Sequence, residues 1–217
     1  MLSDEKEDYL KCIYQYNGLK DYVSNKQISI HLGIKPPSVT EMFNRLEKES
    51  YIIIKPYKGA MLTEKGKKEV IRIVRRHRLI ECFLIKSLGY RWDEVHQEAE
   101  ILEHKVSDLF IERLDKMLDY PTYCPHGAII PRGEIIEEEV QEITKLQIGN
   151  SFILQKVQDE VPLLTYLYEQ NIKIGDELLI ESIDEANHIV YLTKGNVRTG
   201  LSLDNAKKLY YKVNNNF

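Results

Sequence analysis

Cysteine, tryptophan and long apolar runs are all scarce in this chain of 217 residues. Its three cysteines, Cys12, Cys82 and Cys124, are too few and too scattered for a disulfide framework, which fits a reducing cytoplasmic setting. No apolar stretch reaches the ~18–20 residues that a membrane-spanning helix requires, and the first seven residues, Met1-Leu-Ser-Asp-Glu-Lys-Glu7, are polar and acidic, unlike a secretory signal. A membrane partner is therefore not expected. What the chain does have is enough hydrophobic content, 43%, to build more than one core, so two or three small domains are expected.

The net charge of −4 by itself counts against nucleic acid, but its distribution does not. Residues 1–80 hold 16 Lys and Arg against 10 Asp and Glu, a net of +6, and the remainder carries −10. Such an asymmetry suggests a basic binding module joined to an acidic sensing or assembly module.

Local patterns in the basic part point the same way. Ser3 to Tyr16 has Tyr9, Ile13 and Tyr16 spaced for one helical face. Asn25 to Gly33 reads as a short helix stopped by glycine, and Pro36-Pro37 pre-sets the first turn of a helix running through Ser50. Val39, Met42, Phe43 and Leu46 would be buried there, leaving Ser38, Thr40, Glu41, Asn44, Arg45 and Lys48 outward. Helix, tight turn, and a second helix with a small polar face form a helix-turn-helix, whose second helix enters the major groove. Tyr51 to Leu62 follows as two short strands around Lys58-Gly59, and Thr63 caps a long helix. Strand, basic turn and strand make the wing of a winged helix, with Lys55, Lys58 and Lys65 near DNA phosphates. Lys35, Pro37, Ser38, Thr40, Glu41, Asn44 and Lys58 are thus the candidate DNA contacts. A winged helix can also serve as a protein-interaction module. The +6 charge favours DNA, since phosphate neutralisation supplies most non-specific affinity.

The acidic part carries a different signal. In His96-Gln-Glu-Ala-Glu-Ile-Leu-Glu-His104, read as a helix, His96, Glu100, Glu103 and His104 fall within one narrow arc. Val95, Ala99, Leu102, Val106 and Leu109 fill the neighbouring apolar arc. Imidazole nitrogen and carboxylate oxygen are ligands that divalent first-row ions accept; a solvated face of i,i+4 pairs is the plainer alternative. Further ligand types gather elsewhere. His77 and Glu81 are one helical turn apart, Cys124-Pro-His126 sits in a proline-rich loop, and Asp8 lies on the first helix. His31 and His188 read as ordinary surface or helix residues, and Cys12 and Cys82 as small core residues.

Taken together, Glu7-Asp-Tyr-Leu10, Pro36-Pro-Ser-Val-Thr-Glu-Met42, Leu62-Thr-Glu-Lys-Gly66, Arg76-His-Arg-Leu-Ile-Glu81, Glu98-Ala-Glu-Ile-Leu-Glu-His104 and Cys124-Pro-His-Gly127 resemble, in order and over nearly the whole chain, the diphtheria-toxin-repressor family of metal-dependent regulators, in its three-domain manganese-sensing branch. The resemblance implies a mainly α protein with a small β part: a winged-helix DNA-binding domain (1–73), a helical metal-binding and dimerisation domain (74–142) and an SH3-like C-terminal domain (147–217). It implies a primary metal site of Asp8, Glu100, Glu103 and His104. It also implies a secondary set of His77, Glu81, His96, Cys124, His126 and an acidic residue of the third domain, Glu160, with Asp159 as the alternative. Where two-domain manganese regulators carry a glutamate three residues after the first-helix aspartate, this chain has Lys11. Where iron regulators carry methionine and cysteine, it has Asp8 and Glu100, harder ligands that shift preference toward Mn²⁺.

From Ile148 onward, Ser151–Leu154, Gly175–Ile180, His188–Leu192 and Asn196–Arg198 alternate as short strands between turns, as a small β-barrel would. Pro131-Arg-Gly-Glu134 and the acidic run 137–139 read as a solvated connector. The expectation is a cytoplasmic homodimeric repressor of metal-uptake genes. It would bind a double-stranded operator when loaded with Mn²⁺, with Fe²⁺ as the alternative and Zn²⁺ or Cd²⁺ as substitutes in vitro. No catalysis and no small organic substrate are expected; a metallohydrolase, the alternative from another class, would leave the winged helix unexplained.

Overall fold

The first helix, α1 (Asp4–Gln15), turns Tyr9, Leu10, Cys12 and Ile13 inward and keeps Asp4, Glu5 and Glu7 in its first turn, where carboxylates complement the helix dipole. These positions come from a computed structural model that describes residues 2–134 and 139–212. Helix α2 (Asn25–Leu32) opens on a capping box in which Ser24 and Gln27 satisfy each other's backbone donors, an arrangement contributing about 1 kcal/mol. Gly33, with φ of 65°, ends it. Helix α3 (Pro36–Lys48) begins on the two prolines and buries Val39, Met42, Phe43 and Leu46, the four positions its periodicity predicts. Strands β1 (Ile52–Lys55) and β2 (Gly59–Leu62) pair antiparallel as a wing. The wing is pinned to the α1–α2 connection where Val23 and Ala60 exchange backbone hydrogen bonds. Gly59 lies so close to this connection that a Cβ would sit 1.9 Å from the Val23 carbonyl oxygen. One core of Leu10, Ile13, Ile28, Val39, Phe43, Leu46 and Ile52 holds these pieces together.

The long helix α4 (Glu64–Leu88) starts where Thr63 accepts the Gly66 N–H, the cap its sequence predicts. Contacts divide the chain into two units, Met1–His77 with Pro131–Ile135 and Arg78–Ile130 with Ile136–Phe217.

In the second unit, α5 (Val95–Leu102) and α6 (Asp108–Met117) follow the end of α4. The family resemblance implies helix from 77 to 118; a loop after Leu88 and a turn at residues 103–105 divide it into three. Val95 and Ala99 are buried with Leu79, Ile80, Leu84, Ile111 and Leu114. Leu109, expected on the apolar arc of α5, is instead an exposed residue of α6, because the turn after Leu102 resets the helical phase.

The C-terminal part is a six-stranded antiparallel sheet in the order β3-β8-β4-β5-β6-β7, as the SH3-like expectation requires. Its members are β3 (Val140–Glu142), β4 (Ser151–Val157), β5 (Glu177–Asp184), β6 (Ile189–Lys194), β7 (Val197–Ser202) and β8 (Leu209–Lys212). Helix α7 (Val161–Glu169) joins β4 to β5, and the short α8 (Leu203–Ala206) joins β7 to β8. A separate core of Leu154, Leu164, Leu167, Ile180, Leu192, Leu201 and Leu209 fills this part. Of the acidic run 137–139, residues 137 and 138 lie outside the described residues. Among the described residues no helix is long and apolar enough to cross a membrane.

Candidate metal centre and DNA-binding surface

Asp8 sits half-buried on α1 in the first unit. His77, on α4, places Nδ1 3.0 Å from the buried Lys11 Nζ. The ammonium leaves Nε2 as the nitrogen His77 can offer elsewhere. That lysine was visible in the sequence only as a departure from a glutamate; its burial against an imidazole was not.

In the second unit, among the described residues, ligand-type side chains gather in two groups, with Glu81, His96 and Asp159 as a further set that overlaps the second. The first is Glu100, Glu103 and His104, whose ligand atoms lie within 4.8 Å of one another. Glu103 follows the last residue of α5 yet keeps helical dihedrals (φ −57°, ψ −30°), so the arc predicted for a continuous helix survives the turn. Its carboxylate is fully buried, and His104 Nε2 lies 3.6 Å from Glu103 Oε1.

The second group is deeper. Glu81, Cys124 and His126 are all buried, with ligand atoms again within 4.8 Å of one another. Glu81 comes from α4, and the other two from a tight hairpin in which the Cys124 N–H donates to the Ala128 carbonyl at 2.8 Å. That hairpin is pressed onto β4. The Val157 N–H donates to the His126 carbonyl at 3.0 Å, and a Cβ on Gly127 (φ 84°) would meet the Gln155 carbonyl oxygen at 1.9 Å. Only glycine fits both the left-handed backbone and the close approach.

His126 sets the electrostatics of this group. Its Nε2 donates to the Trp92 carbonyl at 2.8 Å, which leaves Nδ1 as the inward-facing nitrogen. Nδ1 is buried with no hydrogen-bond partner and stands 3.3 Å from Glu81 Oε1 and 3.6 Å from Asp159 Oδ2. A buried nitrogen set against two carboxylates calls for positive charge between them, which a proton on Nδ1 supplies in the ion-free protein and a metal ion would supply in its place. Burial pushes the His126 pKa down, but Glu81, Cys124 and Asp159 outweigh it and hold the ring well above the usual 6.5. The donor set of imidazole, thiol and carboxylates fits a transition metal.

Of the two acidic residues considered for the third domain, Glu160 and Asp159, it is Asp159 that faces the histidines. Glu160 precedes the first turn of α7 and is bonded to Lys208 at 2.6 Å, whereas Asp159 Oδ2 lies 2.8 Å from His96 Nδ1. Neighbouring acidic residues carry no sequence signal that separates them; the start of α7 does. The other two thiols are not candidates: burial pushes Cys12 and Cys82 up to about 12, as small core residues.

Trp92 and its neighbours hold the second group's frame. Arg91 grips Asp93 through two hydrogen bonds of 3.0 and 2.6 Å and lies over the Tyr168 ring at 4.2 Å. Asp93 also accepts the Thr165 hydroxyl at 3.0 Å, tying the loop before α5 to α7. Nothing in the sequence flagged Arg91, Trp92 or Asp93.

On the winged helix, Lys35, Pro37, Ser38, Thr40, Glu41, Asn44 and Lys58 are all exposed. Thr40 is partly committed, accepting from Asn25 at 2.8 Å and donating to the Pro36 carbonyl at 3.2 Å. Glu41 pairs with Arg45 one turn on. Lys65, expected near phosphate, instead donates to the Glu49 carbonyl at 2.8 Å and stacks on Tyr51.

Fold and side chains together define a winged-helix protein whose helical part gathers groups of metal-ligand-type side chains. Comparison with known proteins makes this specific. Residues 1–60 match the iron dependent repressor N-terminal DNA binding domain, and residues 63–132 match the iron dependent repressor metal binding and dimerisation domain. The regulator MntR of Bacillus subtilis (strain 168) is 36% identical over 120 residues, covering 55% of this chain and 84% of that protein. The structure of the manganese regulator SloR superposes with a TM-score of 0.81 at 38% identity, over 98% of this chain and 99% of that one. ScaR with bound Cd²⁺ gives a TM-score of 0.85 at 40% identity, over 96% and 99%. The chain belongs to the iron-dependent repressor family.

Proposed function

We propose that this chain is a cytoplasmic, homodimeric repressor that binds operator DNA in its Mn²⁺-loaded state and controls metal-uptake genes. In this proposal Glu100, Glu103 and His104, with Asp8, hold a primary ion, and Glu81, Cys124, His126 and Asp159 hold a secondary one. Bound Mn²⁺ supplies the positive charge that lets these carboxylates share one space. The chain's own residues do the rest. Carboxylate and imidazole oxygens and nitrogens at the primary group suit Mn²⁺, while the Cys124 thiol admits softer Zn²⁺ or Cd²⁺ at the second. The proposed domains are 1–73, 74–142 and 147–217. Linkage requires the DNA-competent arrangement to bind the ion better than its alternatives do. A dimer then offers two recognition helices to two half-sites.

The observation that carries the metal part is the buried His126 Nδ1, 3.3 Å from Glu81 Oε1 and 3.6 Å from Asp159 Oδ2, where two carboxylates converge on a ligand-type nitrogen and must be balanced by a cation. The test is gel retardation of operator DNA across a Mn²⁺ titration with and without chelator. Wild type should shift only with metal. Glu103→Ala and His104→Ala should each need at least about 10- to 100-fold more Mn²⁺, given what even indirect ligand partners contribute. Metal-independent retardation by wild type would overturn the proposal.

A further inference from the structure

The two ligand groups of the second unit meet at His96, which has a ring nitrogen within 4.8 Å of ligand atoms of both Glu81 and Asp159. His96 stands on the first turn of α5 with Nδ1 2.8 Å from Asp159 Oδ2 and Nε2 3.5 Å from Glu100 Oε1. Asp159 faces the second group, 3.6 Å from His126, and Glu100 belongs to the first. Each ring nitrogen thus has a carboxylate opposite it, one from each group. An imidazole is rigid, so a displacement of either carboxylate turns the ring and is felt by the other.

We propose that His96 is a positioning residue that couples the two groups, so that loading the Cys124/His126 group tightens binding at Glu100, Glu103 and His104. This rests on the two-group proposal above. The physical reason is ordering. The Glu100 side chain is 36% exposed and rich in rotamers, and fixing such a chain costs conformational entropy. When Asp159 is held as a ligand, His96 is held against it, and Nε2 then restrains Glu100 before the first group fills. Partners of ligands that orient them in this way carry much of a metal site's affinity, and the coupling is reciprocal between the sites.

The experiment is a double-mutant cycle read by calorimetric Mn²⁺ titration, with no DNA present. It uses wild type, the Cys124→Ser/His126→Ala variant, His96→Leu and the triple variant. Trp92, the chain's single tryptophan, has its ring centroid 6.0 Å from that of His126, so its fluorescence follows loading of the second group separately. In the wild-type background, removing the second group should weaken the first by about fivefold or more, and in the His96→Leu background by less than about twofold. His96→Gln, which keeps a donor and an acceptor, should restore part of the difference. It also carries the cycle if thermal melting shows that His96→Leu does not fold. Equal weakening in both backgrounds, or none in wild type, overturns the coupling while leaving the two groups standing. A wild-type chain that binds fewer than two ions overturns the two-group proposal and the coupling with it.

Discussion

At the residue scale the consequential atom is His126 Nδ1. Held well above the usual imidazole pKa in the ion-free protein, this nitrogen carries a proton where a metal would bind. The sign follows from linkage. A raised folded pKa stabilises the ion-free fold fully below pH 6.5, and that contribution is lost as pH rises through the folded value. Metal must displace the same proton. The apparent Mn²⁺ affinity of the second group should therefore rise with pH above 6.5, by up to about tenfold per unit for one proton released. Trp92 fluorescence titrations at several pH values check this, and His126→Ala should flatten the dependence. The ligand types at this scale were legible in the sequence, because His-x-x-x-Glu and Cys-Pro-His put donors at fixed spacings. Asp159 against Glu160 was not. Which of two adjacent carboxylates faces inward depends on where α7 begins and on Lys208, 48 residues away in sequence.

At the element scale the loop carrying Cys124 and His126 depends on a missing side chain. Gly127→Ala would drive a methyl group into the Gln155 carbonyl and strain a left-handed backbone, so the hairpin must lift from β4. The expected result is loss of second-group metal binding by calorimetry, with a stability loss of about 1–3 kcal/mol in denaturant melts. Gly133→Ala is the control; it shares the positive φ but meets nothing within 4 Å, and should keep both ions. On the winged helix, Lys58→Ala should weaken binding to every DNA sequence and lower the salt slope by about one phosphate contact. Ser38→Ala should instead narrow the gap between specific and random DNA. Both are measured by anisotropy at several salt concentrations. The helices of this domain were legible because their apolar spacing and caps are local. Helix α7 was not foreseen, since Val161-Pro-Leu-Leu-Thr-Tyr-Leu-Tyr168 is apolar on most sides and gives little periodic contrast. Strands β3 and β8 were missed because their partners are distant in sequence.

At the scale of the whole molecule, charge asymmetry separated a basic module from an acidic one, and the family's motifs supplied the order of domains. What the sequence could not supply is how firmly the C-terminal sheet is tied to the helices before it. That depends on Asp93, which gathers Arg91 and Thr165 although no pattern singles it out. Burial sets the Asp93 carboxyl up, yet its bonds to Arg91 and Thr165 outweigh this and leave it below the usual value. Asp93→Ala should loosen this tie by about 1–3 kcal/mol, the cost of stranding buried polar partners. Faster hydrogen exchange in α7 than in α3 would report it.

The depth of the second group also bears on time. Glu81, Cys124 and His126 are buried and Asp159, 27% exposed, is the member of their group that reaches solvent, whereas in the first group Glu100 is 36% exposed. An ion held mostly by buried ligands leaves faster when the surrounding structure opens, so local opening contributes to its exchange. A chelator chase of the fully loaded protein should then release metal in two phases, the slower one reported by Trp92. If both groups fill as proposed, such a regulator would keep a short memory of past abundance, one ion tracking the present supply and the other its recent history.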